Sequence, residues 1–498
     1  MKPETPPSDK KITFSDRIQA VISKRRGLVL SGSPIFIVLV FAFILRIYKI
    51  GSVGVSGREL ENIDRILSFS DISNLIKGDV STNLYYFLQY LWGGVSGYSL
   101  FSMRLFSVIL SIIGLYIFYK FTEQWFSRRL AQIATFLFSI SSFHILLSRS
   151  ISHEIIYPVV SLSALFFLTL AYRQKSRLYF FISGIFIGLG LYASEATLAL
   201  GFAFIAAGGY FFYKNKKFIT SFVTEKIVAI VTILIVSIPF FIAIVTGQSG
   251  FFSRFTISPV VIANNIYTLF TSLTFSTPFD FMYNVGSKRI FDPFILLTFL
   301  AGLIYIIYGI KRRKFYFLFV WLFTLSLVII FEKNFSLGTI VYIAPVIFIL
   351  SALIQEFILQ KWFQTFPFNR LAGLTMIVGV GFFYALSMSY NLEKVFLAWM
   401  KFPDRKYVYN VQPLKVDLKK EKVYLYNEDI PNRVIKVIFG IKSRGQLVRT
   451  ESPNSIAKGE KVNIITSNQG AEIVKESLKE GNQVSLGQNI VLFKGERK

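Results

Sequence analysis

The chain has 498 residues, 53% hydrophobic and 16% charged, with 54 Phe, two His and no Cys, and a formal net charge of +26. Repeated apolar runs of about 18 or more residues exclude a soluble globular protein and mark a polytopic membrane protein. The lack of Cys excludes disulfides, thiolate catalysis and Cys-ligated metals, and His144 and His153 alone exclude a His-rich metal centre.

Residues 1–27 are polar and basic and are expected to stay cytoplasmic. Residues 28–50 read as an uncleaved first span, too long for a signal peptide and followed by no small-residue cleavage site. The chain then leaves the membrane into a first outer loop, residues 51–103. Within it, Leu60, Ile63, Leu67, Ile72, Leu75 and Ile76 recur at helical spacing and predict an amphipathic helix or helix pair on the membrane surface. Residues 83–93, rich in Tyr and Trp and too short to span, predict a second, interfacial helix.

Further spans are expected near residues 104–121, 130–147, 155–172, 178–193, 197–213 and 227–245. A longer outer loop, 246–290, follows. Four more spans end near residues 311, 332, 361 and 390. The expectation is about eleven transmembrane helices, with the N-terminus inside and the C-terminus outside. Most Lys and Arg of the apolar part sit in short clusters between these runs. From Lys120 to Lys314 every cluster except Lys288-Arg289 falls inside, which is topology and not a nucleic-acid footprint. If the pair 178–193 and 197–213 were one broken helix, the C-terminus would lie inside.

Beyond about residue 405 the pattern changes. Alternating strands are predicted at 422–427, 433–439, 461–466 and 489–495, with a helix at 471–480, which together make a small α/β domain. It has no glycine-rich phosphate loop and reads as an accessory lid or recognition module. The predicted organisation is a basic N-terminus (1–27), a transmembrane domain (28–400) and an extracytoplasmic α/β domain (405–498). No internal repeat of the kind that builds two-halved transporters is visible.

The residues able to carry chemistry gather on one side. Arg58, Glu59, Glu61, Asp64 and Arg65 fall within two turns of the first outer helix. A carboxylate there can serve as a general base or hold a cation; the alternative is a solvated helix with a Glu61–Arg65 pair. Residues 148–158 bring Arg149, His153, Glu154 and Tyr157 to the start of a span. The planar guanidinium of Arg149 suits a phosphate, or else pairs with Glu154. Glu195 sits in a tight outer turn. Arg104 can pair with Glu59 or contact a phosphate, and Arg254 in the long outer loop can help gather one. Nucleotide-activated donors are cytoplasmic, so transfer on the opposite face would draw on a lipid-linked donor.

The order of these features resembles the GT-C superfamily of membrane glycosyltransferases, in the branch of the protein O-mannosyltransferases and the lipid A aminoarabinose transferases. The resemblance rests on Gly57-Arg58-Glu59 after the first span, Asn83-Leu84-Tyr85-Tyr86-Phe87-Leu88, Met103-Arg104-Leu105-Phe106-Ser107, Ser148-Arg149 followed by Glu154, and residues 184–194. It covers residues 28–212 and implies a GT-C-like fold. In such families the first outer loop carries an Asp-Glu pair whose Asp is the general base. Here Arg58 stands at the Asp and Glu59 matches the Glu, and Glu195 takes the place of a Lys.

The resemblance implies a glycosyltransferase of the cell (inner) membrane that moves a sugar from a polyprenyl-phosphate donor to a lipid, glycan or protein acceptor on the outer face. In that reading Glu59 is the base, Arg149 and Arg104 hold the phosphate, and Glu154 orients the acceptor or an arginine. Arg58, His153, Tyr157, Glu195 and Arg254 complete the substrate site, and the helix at 83–93 lines the lipid entrance. No cofactor is required by the pattern, although carboxylates can bind a divalent cation without diagnostic spacing. Two other readings stay open. One is a catalytically degenerate relative that binds or helps assemble lipid-linked glycans. The other is a transporter, which would need ionisable residues near mid-span.

Overall fold

The structure is a computed structural model. It describes residues 34–399 except 53, 70, 215–222, 248–251, 276–281, 286–287 and 368, and then 423–426, 447–450, 456, 461–467, 474–485 and 490–497. The first part is helical. It runs α1 (Pro34–Ile47), α2 (Gly57–Ser68), α3 (Asn83–Ser96), α4 (Leu100–Trp125), α5 (Arg128–Ile140), α6 (Ser142–Ser148), α7 (Ile156–Gln174), α8 (Arg177–Gly190) and α9 (Ala196–Lys214). It continues with α10 (Val223–Val245), α11 (Pro259–Thr274), α12 (Pro293–Tyr308), α13 (Arg313–Phe331), α14 (Ala344–Thr365) and α15 (Arg370–Leu392). Short 3-10 turns cover Ile72–Ile76, His153–Ile155 and Leu337–Tyr342, and a π-helical turn, Glu393–Trp399, ends the bundle.

Among the described residues, six helices are long and apolar enough to cross a bilayer: α4, α7 with its preceding turn, α10, α13, α14, and α15 with its π turn. The chain is an integral membrane protein. Helices also stand where the other spans were expected, but α1, α8 and α12 are shorter apolar helices. Length and composition thus give six spans, or seven if a bent pair counts as one. The expected single span at 130–147 is that pair: α5 and α6 meet at Ser141 with a bend of 63°. A break in a spanning helix frees backbone groups that lipid cannot satisfy. Here the Ser142 amide donates to Asn391 Oδ1 at 2.8 Å. Asn391 and Ser387 in turn donate to Asp292 Oδ2, each at 2.8 Å, while Asp292 Oδ1 accepts from Ile295 N and caps α12. All four side chains are buried or sealed by this node. It joins the break to α12 and α15.

The first outer loop follows its sequence pattern in part. α2 buries Ile63 and Ile66, and a capping box starts it: Glu59 N donates to Ser56 Oγ (3.3 Å) and Ser56 N donates to Glu59 Oε2 (3.2 Å). The second half of the expected helix is only the 3-10 turn Ile72–Ile76, capped by Asp71. α3 forms as expected but turns its tyrosines inward. Tyr85 and Tyr86 are fully buried, and Leu91 and Val95 face out. The expected outer loop 246–290 contains α11, which starts at Pro259 and docks by Asn265 Nδ2 donating to the Ile330 and Glu332 carbonyls.

The C-terminal strands are β1 (Val423–Tyr426), β2 (Leu447–Thr450), β3 (Lys461–Ser467), β4 (Leu478–Ser485) and β5 (Ile490–Arg497). They form one sheet in the order β2-β1-β3-β5-β4, with β1 parallel to β2 and β3 and the β3–β5 and β4–β5 pairs antiparallel. β1, β3 and β5 occupy the strands expected at 422–427, 461–466 and 489–495. The strand expected at 433–439 lies outside the described residues. The helix expected at 471–480 is helical only at 474–477 among the described residues. From Leu478 the chain pairs with β5, so ladder bonds override the local helical spacing.

Two glycines on α8 set a close crossing. A Cβ at Gly184 would lie 2.9 Å from the Ala229 carbonyl oxygen of α10, and one at Gly188 would lie 2.6 Å from Val236 Cβ. This is a small-xxx-small contact, in which backbones approach because nothing protrudes. Gly188→Val is expected to push α10 off α8 and lower the thermal midpoint in detergent by several degrees, an overpacking cost of about 1–3 kcal/mol. An unchanged midpoint would show that the crossing tolerates a side chain.

Candidate active site

Five connections between helices meet around one polar cavity of about 580 Å³. α2 contributes Arg58, Glu61, Asn62 and Arg65, and α3 contributes Tyr86. The turn before α7 contributes His153 and Glu154. Arg254, Tyr283 and the connection from Glu332 to Tyr342 close the rest. These segments are separated by up to hundreds of residues in sequence but share one face of the helical bundle.

Glu154 is the most fixed of the cavity carboxylates. Its Oε1 accepts from the Tyr283 hydroxyl (3.1 Å), its Oε2 accepts from the Ser152 hydroxyl, and His153 Nδ1 is 3.7 Å from Oε2. Only 5% of the residue is exposed. Gly338 leaves the space for it: a Cβ there would lie 2.5 Å from Glu154 Oε1. Arg58 reaches the same group through Tyr283. Its guanidinium lies 5.9 Å from the Tyr283 ring centroid and donates to Ser336 Oγ at 3.2 Å. A carboxylate and an exposed guanidinium therefore bracket one tyrosine at the cavity wall. His153 contacts the Tyr86 hydroxyl (3.3 Å), and Tyr86 donates to Asn62 Oδ1 (2.6 Å).

Arg254 holds a second set. Its Nη1 lies 3.1 and 3.2 Å from the two Glu195 carboxylate oxygens, and its Nη2 donates to Asp79. Arg65 lies 3.6 Å from Asp79 and 4.5 Å from the Tyr86 ring centroid. Burial alone would raise the Asp79 carboxyl, but Arg254 and Arg65 beside it hold it below the ordinary carboxylate range. The same two acids hold the Arg254 guanidinium above its ordinary value. Glu332 differs. Burial, reinforced by Glu195 and Glu154, pushes its carboxyl up to about 8, against the opposing pull of Arg254.

Several expected site residues lie elsewhere. Glu59 is fully buried and does not border the cavity. Its Oε1 accepts from Arg104 Nε (3.0 Å) and Ile151 N (3.1 Å), and its Oε2 from Arg104 Nη2 (2.8 Å) and Ser56 N (3.2 Å). With four donors on two oxygens, it has no lone pair directed at a substrate, so the geometry does not support it as the base. Arg104 spends its remaining donors on the Ile50 and Gly54 carbonyls. Arg149 donates to the Leu45, Arg46 and Tyr48 carbonyls and lies over Phe396, not against Glu154. The hollow these three share is about 10 Å³, room for one water and no phosphate. Tyr157 is buried in α7 behind Tyr342, ring centroids 4.7 Å apart. Glu195 stands behind Arg254, and Arg65 turns to Asp79 instead of Glu61.

The structure thus brings together Arg58, His153, Glu154 and Arg254 of the expected set. It adds Glu332, Tyr283 and Asp79. Glu332 closes a span on the same side as Glu154 and Glu195, so sidedness could have found it; no sequence signal marks Tyr283. Among the described residues, no three His, Asp or Glu side chains converge as a metal-binding group.

Residues 82–243 match the family model described as dolichyl-phosphate-mannose-protein mannosyltransferase. The fold is similar to that of ArnT from Cupriavidus metallidurans bound to undecaprenyl phosphate, with a TM-score of 0.55 and 10% identity over 93% of this chain and 98% of that one. Its apo form gives the same TM-score and identity over 92% and 97%. The oligosaccharyltransferase of Archaeoglobus fulgidus in the apo form aligns at a TM-score of 0.47 with 14% identity, over 90% and 73% of the two chains. No curated protein sequence matches the chain. The family match overlaps the sequence resemblance over residues 82–212, and the fold as a whole is similar to that of ArnT.

Arg104→Met leaves Glu59 charged and buried without its partner, which is expected to cost about 3–5 kcal/mol and show as a large fall in thermal midpoint. A variant as stable as the parent would mean the pair anchors nothing. Gly338→Ala is expected to displace the Glu154 carboxylate while leaving the helical bundle folded. Circular dichroism and melting would confirm the fold, and loss of any ligand bound in the cavity would report the displacement.

Proposed function

We propose that the chain is a glycosyltransferase that takes a sugar from a polyprenyl-phosphate donor at the membrane surface. The observation that carries this reading is the polar cavity. It is built by connections on one face of an ArnT-like fold, with a fixed carboxylate, Glu154, and an exposed guanidinium, Arg58, sharing Tyr283. ArnT supports the donor class by analogy of fold, since its structure holds undecaprenyl phosphate.

In this reading the acceptor nucleophile attacks the anomeric carbon, the bond from that carbon to the phosphate oxygen breaks, and polyprenyl phosphate leaves. Arg58 and Lys333, at the cavity rim, hold the phosphate and stabilise the charge it gains. Glu154, kept in place by Tyr283 and Ser152, faces the positive charge that develops on the sugar. Arg254, already paired with Asp79 and Glu195, acts as a positioning residue for the wall. The pairs Glu59–Arg104 and Arg149 with its carbonyls are structural. In this reading the N-terminus lies in the cytoplasm and the cavity on the outer face of the cell membrane, which the pattern of basic clusters between apolar runs supports. The acceptor is a lipid, glycan or protein whose hydroxyl or amine reaches the cavity.

A second reading is a lipid-glycan-binding relative without turnover, favoured by Arg58 at the position where the resembling families carry their Asp. Incubation of purified protein in nanodiscs with radiolabelled polyprenyl-phosphate sugars and a membrane acceptor extract separates the two. Label is expected to move to acceptor, and Arg58→Ala and Glu154→Gln are each expected to slow transfer about 10²–10³-fold. Saturable binding of the donors with no transfer would favour the binding protein.

A further inference from the structure

We propose that Glu332 is the group that takes the proton from the acceptor nucleophile. This inference deepens the transferase reading and rests on it. Among the described residues, three carboxylates border the cavity: Glu61, Glu154 and Glu332. Glu61 stands exposed at the rim, turned to solvent. Glu154 is occupied by Tyr283, Ser152 and the neighbouring His153. Glu332 is the one left. Among the described residues, no cationic group lies within ion-pair distance of its carboxylate, because Arg254 is turned to Asp79 and Glu195.

The backbone holds Glu332 in this position. Residues 254–256 pair with residues 331–333: Thr256 N donates to Phe331 O (2.9 Å), Lys333 N donates to Arg254 O (2.6 Å), and Phe255 and Glu332 form an antiparallel bridge. Asn265 Nδ2 donates to the Glu332 carbonyl at 2.6 Å. A loop end fixed from two sides aims its side chain reproducibly, which a proton acceptor needs. The groups that face it are Glu195 from the turn before α9, Arg254, Glu154 from the turn before α7, and Thr339. Burial, with two acids against one committed arginine, raises its proton affinity toward neutral pH, where a general base works best.

The step balances without a co-reactant. The acceptor O–H or N–H proton passes to a Glu332 oxygen as the nucleophile bonds to the anomeric carbon and the carbon–phosphate-oxygen bond breaks. The proton then passes to solvent through the open mouth of the cavity. An acceptor with a neutral hydroxyl or amine is implied, since an anionic nucleophile would need no base.

The test uses full-length protein in nanodiscs and three readouts. They are binding of undecaprenyl phosphate without sugar, single-turnover transfer from the labelled donor panel, and thermal midpoint against pH. Wild-type transfer is expected to rise with pH and level off above about 8. Glu332→Gln is expected to keep undecaprenyl phosphate binding, lose transfer about 10²–10⁴-fold, and lose the rising limb. Glu332→Asp should recover part of the rate and a displaced limb. Because the folded protein holds this proton more tightly than the unfolded chain, the wild type should lose stability as pH rises from about 4.5 to about 8, while Glu332→Gln does not. Wild-type rate and pH profile in Glu332→Gln would overturn the assignment. A wild type that neither binds undecaprenyl phosphate nor transfers from any donor would instead overturn the transferase reading, and the role of Glu332 with it.

Discussion

The buried Glu59–Arg104 pair is the contact on which the site depends. Arg104 sits at the start of the second turn of α4 and Glu59 in the first turn of α2, and both are almost completely excluded from solvent. Two charges taken out of water repay their desolvation only when every remaining donor and acceptor is satisfied. Here they are. The pair collects the carbonyls of Ile50 and Gly54, the amide of Ser56 and the amide of Ile151. One ion pair therefore fixes the exit of α1, the start of α2, the start of α4 and the strand of chain that leads to Glu154. Residues 58 and 59 are about 100° apart around a helix, so burying Glu59 turns Arg58 out to the cavity.

The charged residues of this face divide by what surrounds them. Glu59 and Arg104 are enclosed by protein donors and carbonyls, Arg149 donates through Nη1 to three carbonyls, and together they give the loops their register. Asp79, Arg65, Arg254 and Glu195 form a chain of alternating charge along one wall, each ion held by the next. Such a chain costs less than isolated buried ions and orders the wall. Arg58, Glu154 and Glu332 have cavity on one side and so retain an interaction to offer a ligand. The same residue types thus serve as anchor, strut and cavity-facing group, and only their neighbours distinguish them.

The bundle below supports this division through a polar node within apolar surroundings. The break between α5 and α6 changes the direction of the chain just before residues 149–154. Asn391 satisfies the Ser142 amide it frees, and with Ser387 and Asp292 it binds α12 and α15 to the same point. Without that repair the bend would expose backbone to lipid, and the turn that carries His153 and Glu154 would not enter the cavity at this angle.

The sequence by itself determined that the chain is a polytopic helical membrane protein, which connections share a face, and the order of features that resembles GT-C glycosyltransferases. Those properties follow from apolar run length, basic clusters and local wording, all of which are written along the chain. It also singled out Arg58, His153, Glu154 and Arg254, which border the cavity, because charge at the end of a span is visible locally. What only the tertiary structure decided is which of the charges is free to act. Glu59 and Glu332 look alike in sequence, each beside a cation at the edge of a helix. One lies within hydrogen-bond reach of Arg104 and Ile151 and is consumed by them; the other meets two acids and an arginine already engaged. Proton affinity and accessibility are set by groups brought within a few ångströms from distant parts of the chain, and spacing along the chain does not encode those distances.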